Sequence, residues 1–158
     1  MDAISIDATI AITALSRRTW WRRISQGNVS RVSDDGRGRA MLVLAEVVPY
    51  ICILLEPDDL ALILRADAGH ADAQNDIGQL FSIAGKHESA LYWLQQAVRK
   101  DHPDAMQWLG SCYLRGAGVP KDENLGLMWI AKAASHNHVI AQAQINALSP
   151  YSVKRSPT

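Results

Sequence analysis

Apolar residues recur at helical spacing along the second half of the chain, and the pattern itself repeats. Ala73 begins the segment AQNDIGQLF, and Ala105 begins AMQWLGSCY 32 residues later. A third segment, AQAQINAL, begins at Ala141 after a further 36 residues, and Trp93 and Trp129 in the intervening helices are also 36 apart. The pattern predicts units of two helices joined by a turn, each of which buries its apolar face only by stacking on its neighbours.

The second unit carries a denser motif than the first. It reads LGxxYxxGxGVxxD from Leu109 to Asp122 and continues as WxxKAA from Trp129. This resembles a Sel-one-like repeat, a variant of the tetratricopeptide repeat. The resemblance covers about residues 58–148, where 58–68 matches a second helix alone and 141–148 a first helix alone. It implies a short right-handed α-solenoid that binds other proteins.

The first 45 residues predict a different order of elements from the repeats, namely two helices followed by two strands. A short helix is predicted over 6–13, and a second helix begins after Ser16, a good N-cap residue, and ends at Gly27. Two strands follow at 29–32 and 39–43, joined by the turn sequence DDGRG. The segment LSRRTWWRRI from Leu15 to Ile24 resembles the turn and recognition helix of the excisionase and MerR-like winged helix-turn-helix proteins. That resemblance implies DNA binding.

These patterns predict a mainly α protein in four parts. A winged helix-turn-helix with a small β-hairpin occupies residues 1–45, and a buried linker helix occupies 46–57. The helical repeats occupy 58–148, and a flexible tail occupies 149–158. The apolar run from Met41 to Leu55, with Pro49 near a helix start, is expected to bury against both halves.

Charge is balanced overall but not along the chain. Basic and acidic residues both number 16, yet residues 17–39 hold seven arginines, no lysine and two aspartates. Clustered arginine suits bidentate contact with phosphate or guanine, although a solvated basic face is the alternative interpretation. The residues expected to contact double-stranded DNA are Ser16, Arg17, Arg18, Thr19, Arg22, Arg23, Arg31, Arg37 and Arg39.

The repeats offer a second candidate surface. Trp108 stands where the other units have Asp76 and Gln144, so it is expected to point outward. An exposed tryptophan on the first helix of a unit is a candidate hot spot, or it packs against a neighbouring loop. With Gln74 and Gln107 it forms the predicted protein-binding face. Homodimerisation through this face would pair two winged helices for paired half-sites.

The sequence offers no support for catalysis, a cofactor or a metal site. It contains no nucleophile, zinc-protease or phosphate-loop motif. His70, His102 and His138 each lie three residues before a repeat alanine, a structural position, and Cys52 and Cys112 are expected to be buried and inert.

The sequence also favours one cellular setting and two functions. No apolar run reaches the ~18 residues of a membrane span, and the N-terminus lacks a secretory basic region, so a cytoplasmic protein is expected. The leading hypothesis is a DNA-binding regulator whose repeats bind a partner or a second subunit. The alternative is a protein–protein adaptor with a degenerate winged helix and no nucleic-acid role.

Overall fold

Short strands and helices alternate at the start of the chain in the computed structural model, which describes residues 1–148. The tail predicted at 149–158 lies outside the described residues. The N-terminal part contains β1 (Ala3–Ser5), α1 (Ile6–Thr13), α2 (Arg17–Ser25), β2 (Arg31–Val32), β3 (Met41–Val43), α3 (Leu44–Val47) and a 3-10 turn (Val48–Tyr50). The remainder contains α4 (Pro57–Ala68), α5 (Ala71–Ile83), α6 (His87–Val98), α7 (Pro103–Arg115), α8 (Glu123–Ser135) and α9 (Val139–Leu148).

The N-terminal module is built on a three-stranded antiparallel sheet of order β1-β3-β2. The pattern had not predicted β1, whose Ile4 pairs with Leu42 at the centre of the sheet. Ile4, Ile12, Trp20 and Leu42 are fully buried and form the core of this module. The sheet is compatible with the predicted hairpin, and the winged helix-turn-helix assignment stays a prediction.

Helix α1 forms even though its sequence is rich in β-branched residues, which disfavour helices. Thr9 and Thr13 are both buried, and their hydroxyls donate to the carbonyls of Ser5 and Thr9 at 2.9 and 2.7 Å. Thr13 Oγ1 also accepts from the indole N–H of Trp20 at 3.1 Å. Burial and these hydrogen bonds therefore outweigh the weak intrinsic propensity of the segment.

The prediction of a buried linker helix over 46–57 is wrong. The backbone forms a single helical turn in α3 and one 3-10 turn, and it is irregular from Ile51 to Glu56. The N–H of Cys52 donates to the carbonyl of Ile12 at 3.0 Å, which ties the segment to the end of α1 instead. Leu54 is fully exposed, so the apolar run is not continuously buried.

The helices from α4 onward pack as a short solenoid, as the repeat pattern predicts. Helices α5 and α6 form one unit and α7 and α8 the next, while α4 and α9 each supply a single helix at the ends. Glycine allows each pair to approach closely: a Cβ on Gly78 would lie 2.8 Å from Leu94 Cγ, and one on Gly110 would lie 2.7 Å from Ile130 Cγ1. In α9 the same position is Asn146, which is exposed.

The two halves pack directly on each other. Helix α1 lies against α6, and β1 lies against α4, so apolar residues of both halves join one buried cluster. The polar centre of this junction is Asp67, which is 7% exposed. Its carboxylate accepts from the N–H and the hydroxyl of Ser5 at 2.8 and 2.6 Å.

Candidate functional site

One side of α7 forms the wall of an open groove of about 420 Å³. The residues that line the groove are three or four positions apart and so lie on one face of α7: Gln107, Trp108, Ser111, Leu114 and Arg115. Trp108 is half-buried: one part of its side chain packs against the core and another faces the groove. The prediction that Trp108 points outward therefore holds in part, and its role in binding stays a prediction.

Polar side chains fix the floor of the groove. The amide of Gln107 donates to Gln144 Oε1 on α9 at 3.2 Å and to Ser111 Oγ at 3.3 Å, so it bridges two neighbouring helices. The guanidinium Nε of Arg115 donates to the carbonyl of Ser111 at 3.3 Å, while the side chain is exposed at the groove edge. The arrangement combines an indole, an aliphatic side chain and one cation.

Gln74 does not belong to this surface, contrary to the prediction. It is 1% exposed, and its amide donates to the carbonyl of Ala66 at 3.0 Å. The cause is the alignment of the two repeats, which are offset by 32 residues. Gln74 therefore corresponds to Met106, a fully buried core residue, whereas Gln107 corresponds to Asn75. The lining residues Ser111, Leu114 and Arg115 were missed, although their helical spacing from Gln107 places them on the same face.

The arginine-rich helix α2 exposes fewer free cations than its sequence indicates. Ser16 caps the helix by accepting from the N–H of Thr19 at 3.1 Å, and Arg17 pairs with Asp7 of α1. Arg23 turns inward, where its guanidinium carbon lies 4.2 Å from the ring centre of Tyr50 and its Nη1 donates to the Tyr50 hydroxyl. It stabilises the N-terminal core by this cation–π contact, so it is not placed to reach DNA.

The hairpin arginines are also engaged within the chain. Arg31 pairs with Asp34 at 2.7 Å and lies over the ring of Trp21 at 5.6 Å. Arg39 donates to Asp35 at 2.7 Å and to Asp67 at 2.6 Å. Of the predicted DNA-binding residues, Arg17, Arg31 and Arg39 thus pair with carboxylates within the chain, and DNA binding stays a prediction.

Three hairpin and repeat side chains instead satisfy the carboxyl end of α4. The last carbonyls of a helix have no partner within it and carry a partial negative charge. Here Arg39 donates to the carbonyl of Asp67 at 3.1 Å, Arg37 to that of Ala68 at 2.8 Å, and Lys100 to that of Gly69. Two arginines predicted to contact DNA thus hold the hairpin against the repeats.

Comparison with known proteins identifies the repeats. Residues 71–102 and 103–138 each match the family described as Sel1 repeat. These two segments are similar to Sel1 repeats. They coincide with the units α5–α6 and α7–α8, and this confirms the resemblance that the sequence motif indicated.

Two known proteins are similar to parts of this chain. Over 69 residues the chain is 38% identical to the ERAD-associated E3 ubiquitin-protein ligase component HRD3A of Arabidopsis thaliana, a match that covers 40% of this chain and 10% of that protein. The chain thus spans about a tenth of that relative. A crystal structure of a Sel1 repeat protein from Oxalobacter formigenes is 25% identical and covers 65% of this chain and 39% of that one, with a TM-score of 0.49.

Histidines link successive Sel1 repeats in a recurrent way. His138 Nδ1 accepts from the N–H of Ala141 at 3.1 Å, while its Nε2 lies 2.6 Å from Asp104 of the preceding unit. His102 repeats the arrangement with Asp72 at 2.9 Å. His102 and His138 thus occupy the predicted structural position, whereas the side chain of His70 forms no such cap on α5.

The two cysteines differ in burial. Cys112 is buried, which raises the pKa of its thiol, whereas Cys52 is only half-buried, contrary to the prediction. Within residues 1–148 no three His, Cys, Asp or Glu side chains gather in a metal-binding cluster. In the same part of the chain, no helix is both long and apolar enough to cross a membrane.

Proposed function

We propose that this protein is an adaptor that binds another protein through the groove on α7. The observation that carries the proposal is the half-buried Trp108, which lines a largely apolar groove beside Leu114. Tryptophan and arginine are enriched among the residues that dominate binding energy at protein interfaces, and tryptophan buries a large area with few rotatable bonds. The groove offers both, since Arg115 lies at its edge.

The two Sel1 repeats support the same function. Repeat arrays present extended surfaces that bind partner proteins, and the first helix of each unit contributes to one face. One protein that is similar to part of this chain is named as a component of a ubiquitin ligase, which is a role within an assembly. An adaptor role for this chain involves no catalytic step and no cofactor.

The test is a peptide selection on the intact protein followed by affinity measurement. A displayed random-peptide library is selected on the wild-type chain, and the enriched peptides are measured against Trp108→Ala and against Leu54→Ala. Leu54 is a fully exposed apolar residue outside the groove, so it is the matched control. We expect Trp108→Ala to weaken binding at least about tenfold, or about 1.4 kcal/mol, and Leu54→Ala to leave it unchanged.

The selection can also contradict the proposal. Trp108 packs partly on the core, so the affinities are measured well below the melting temperature of each variant. Peptides that bind wild type and Trp108→Ala equally would place the interaction elsewhere. Light scattering of the free protein would reveal self-association through the same face, which the Trp108→Ala change should then abolish.

Binding of double-stranded DNA through α2 is a second candidate function. Its support is that Arg18 and Arg22 lie exposed on α2 beside Trp21, and within residues 1–148 neither guanidinium has a carboxylate partner. Arg17 pairs with Asp7 and Arg23 turns inward, so α2 can neutralise fewer phosphates than its four arginines would suggest. Retardation of duplex DNA at about 50 mM salt, lost in Arg18→Gln/Arg22→Gln, would favour this function.

A further inference from the structure

A second cavity, distinct from the α7 groove, lies between the hairpin and α6. Its volume is about 340 Å³, and three of its lining residues are arginines: Arg37, Arg39 and Arg99. Tyr92, Gln95 and Gln96 of α6 supply neutral polar groups to the same wall. A concave site of this size that concentrates guanidinium groups has the features of an anion-binding site.

The positive charge of this cavity is not neutralised within the described part of the chain. Arg39 pairs with two carboxylates, Asp35 and Asp67, so this group has one negative charge in excess, against the two positive charges of Arg37 and Arg99. Asp7, the acidic residue of the cavity wall, already pairs with Arg17.

Two arginines of the cavity wall therefore lack a carboxylate partner within residues 1–148. Arg37 and Arg99 form no ion pair with any carboxylate within residues 1–148. The cavity thus carries two guanidinium charges available to a ligand.

A further cation lies beside Arg37. The position of a Cβ built on Gly69 would be 3.2 Å from Lys100 Nζ and 3.5 Å from Arg37 Nη2, so both cations crowd the same glycine. The carboxyl end of α4 offsets part of this repulsion, because its carbonyls accept from both side chains. Arg99, one residue before Lys100, adds a third charge, and no such carbonyl accepts from it within residues 1–148. An anion that bridges Arg37 and Arg99 would relieve the remaining repulsion.

The neutral groups suit an oxyanion as well. Burial raises the pKa of the Tyr92 phenol, so its hydroxyl stays protonated and can donate a hydrogen bond. The side-chain amides of Gln95 and Gln96 provide further donors, and Gln95 is exposed at the rim. Guanidinium groups bind phosphate oxygens bidentately, which distinguishes a phosphate from a halide.

We propose that this cavity binds a small phosphate-bearing anion at the junction of the N-terminal module and the repeats. Its volume lies near the lower end of small-molecule sites, which favours a small phosphate ester or diphosphate over a polymer. The ligand would contact Arg37 of the hairpin and Arg99 of the repeats, and so would tie the two halves together. The site shares no lining residue with the α7 groove, so it is independent of the adaptor function.

Calorimetric titration of the full chain with pyrophosphate, and separately with inorganic phosphate, tests the proposal at constant ionic strength. The test variant is Arg99→Gln, because this side chain is exposed and its loss should not disturb folding. The matched control is Arg65→Gln, an exposed arginine on α4 that does not line the cavity. We expect saturable one-to-one binding of pyrophosphate that is about tenfold weaker in Arg99→Gln and unchanged in the control.

Two results would overturn the proposal. One is the absence of saturable binding of either anion, or an equal loss in Arg99→Gln and Arg65→Gln, which would indicate diffuse charge attraction. The other is displacement of pyrophosphate by a short DNA duplex whose own binding depends on Arg99, which would assign the site to a nucleic-acid backbone. Pyrophosphate binding with no competition from the duplex supports the small anion.

Discussion

Arg39 Nη1 lies 2.6 Å from Asp67 Oδ1, and this ion pair joins the hairpin of the N-terminal module to the first helix of the solenoid. Asp67 also accepts two hydrogen bonds from Ser5, so donors from two parts of the N-terminal module converge on one buried carboxylate. A buried charge with well-placed donors fixes the arrangement of the elements that carry them, because any displacement leaves the charge unpaired. The two halves are therefore held in one defined orientation.

Replacing Asp67 should destabilise the whole protein. In Asp67→Asn the amide keeps the shape of the carboxylate but loses its charge and presents an N–H₂ group to donors, which leaves Arg39 and Ser5 poorly paired. We expect the free energy of unfolding to fall by about 2–3 kcal/mol. This is less than the cost of breaking a fully buried ion pair, because Arg39 is partly exposed. Urea denaturation measures it, and Asp58→Asn, an exposed site on the same helix, is the control. Equal midpoints for the two variants would contradict the role of Asp67.

The stability of the hairpin should depend on pH through Asp35. The N–H of Arg39 lowers the pKa of Asp35 below its ordinary value of 3.8; burial opposes this, and the Arg39 side chain and the Arg37 N–H add to the lowering. Because the folded pKa lies below the unfolded one, Asp35 stabilises the fold above about pH 4, and this contribution is lost as the pH falls through the folded pKa. Denaturation midpoints measured from pH 6 to pH 2 should fall less steeply in Asp35→Asn. Parallel curves would show that Asp35 makes no such contribution.

Close approach of α7 and α8 should make Gly110 intolerant of any side chain. A Cβ there would lie 2.7 Å from Ile130 Cγ1 and 2.8 Å from the Gly126 carbonyl oxygen, so the helices must separate. We expect Gly110→Ala to lower the free energy of unfolding by about 1–3 kcal/mol, as overpacking of a core does. Gly36→Ala is the control, because nothing lies within 4 Å of its added Cβ. Thermal unfolding compares the two, and similar melting temperatures would refute the close-packing argument.

His138 should stabilise the stacking of α9 on the preceding unit. Its side chain caps the start of α9 and contacts Asp104, so His138→Ala removes two interactions at once. The expected loss is about 1 kcal/mol, the usual cost of losing an N-cap, since Asp104 is largely exposed and its pairing adds little. His136→Ala, at an exposed position two residues earlier, is expected to leave stability unchanged. Amide exchange in α9 is the measurement, and exchange accelerated equally by both changes would argue against a specific cap.

The sequence alone predicted the elements whose signal is local or periodic. The spacing between Ala73, Ala105 and Ala141 indicated the repeat units, and the LGxxYxxGxGVxxD motif indicated their family, because stacking imposes the same small and apolar residues on every unit. The sequence also predicted Ser16 as the N-cap of α2, because capping depends on residues within one helical turn. The repeat alignment also singled out Gln107 and Trp108, two of the five residues that line the groove.

Tertiary structure decided what the arginines do. Arg37 and Arg39 looked like DNA contacts because charge counts along a chain do not reveal partners distant in sequence, such as the carbonyl of Ala68 and the carboxylate of Asp67. Gln74 was wrongly placed on the face of Gln107, because its equivalent 32 residues on is the buried Met106 and its amide donates to the end of α4. Strand β1 pairs with β3 across about 40 residues, a contact that three residues of local pattern cannot encode. The sequence thus determined which helices form and repeat, whereas the packing of the two halves decided which polar groups are left free to bind anything else.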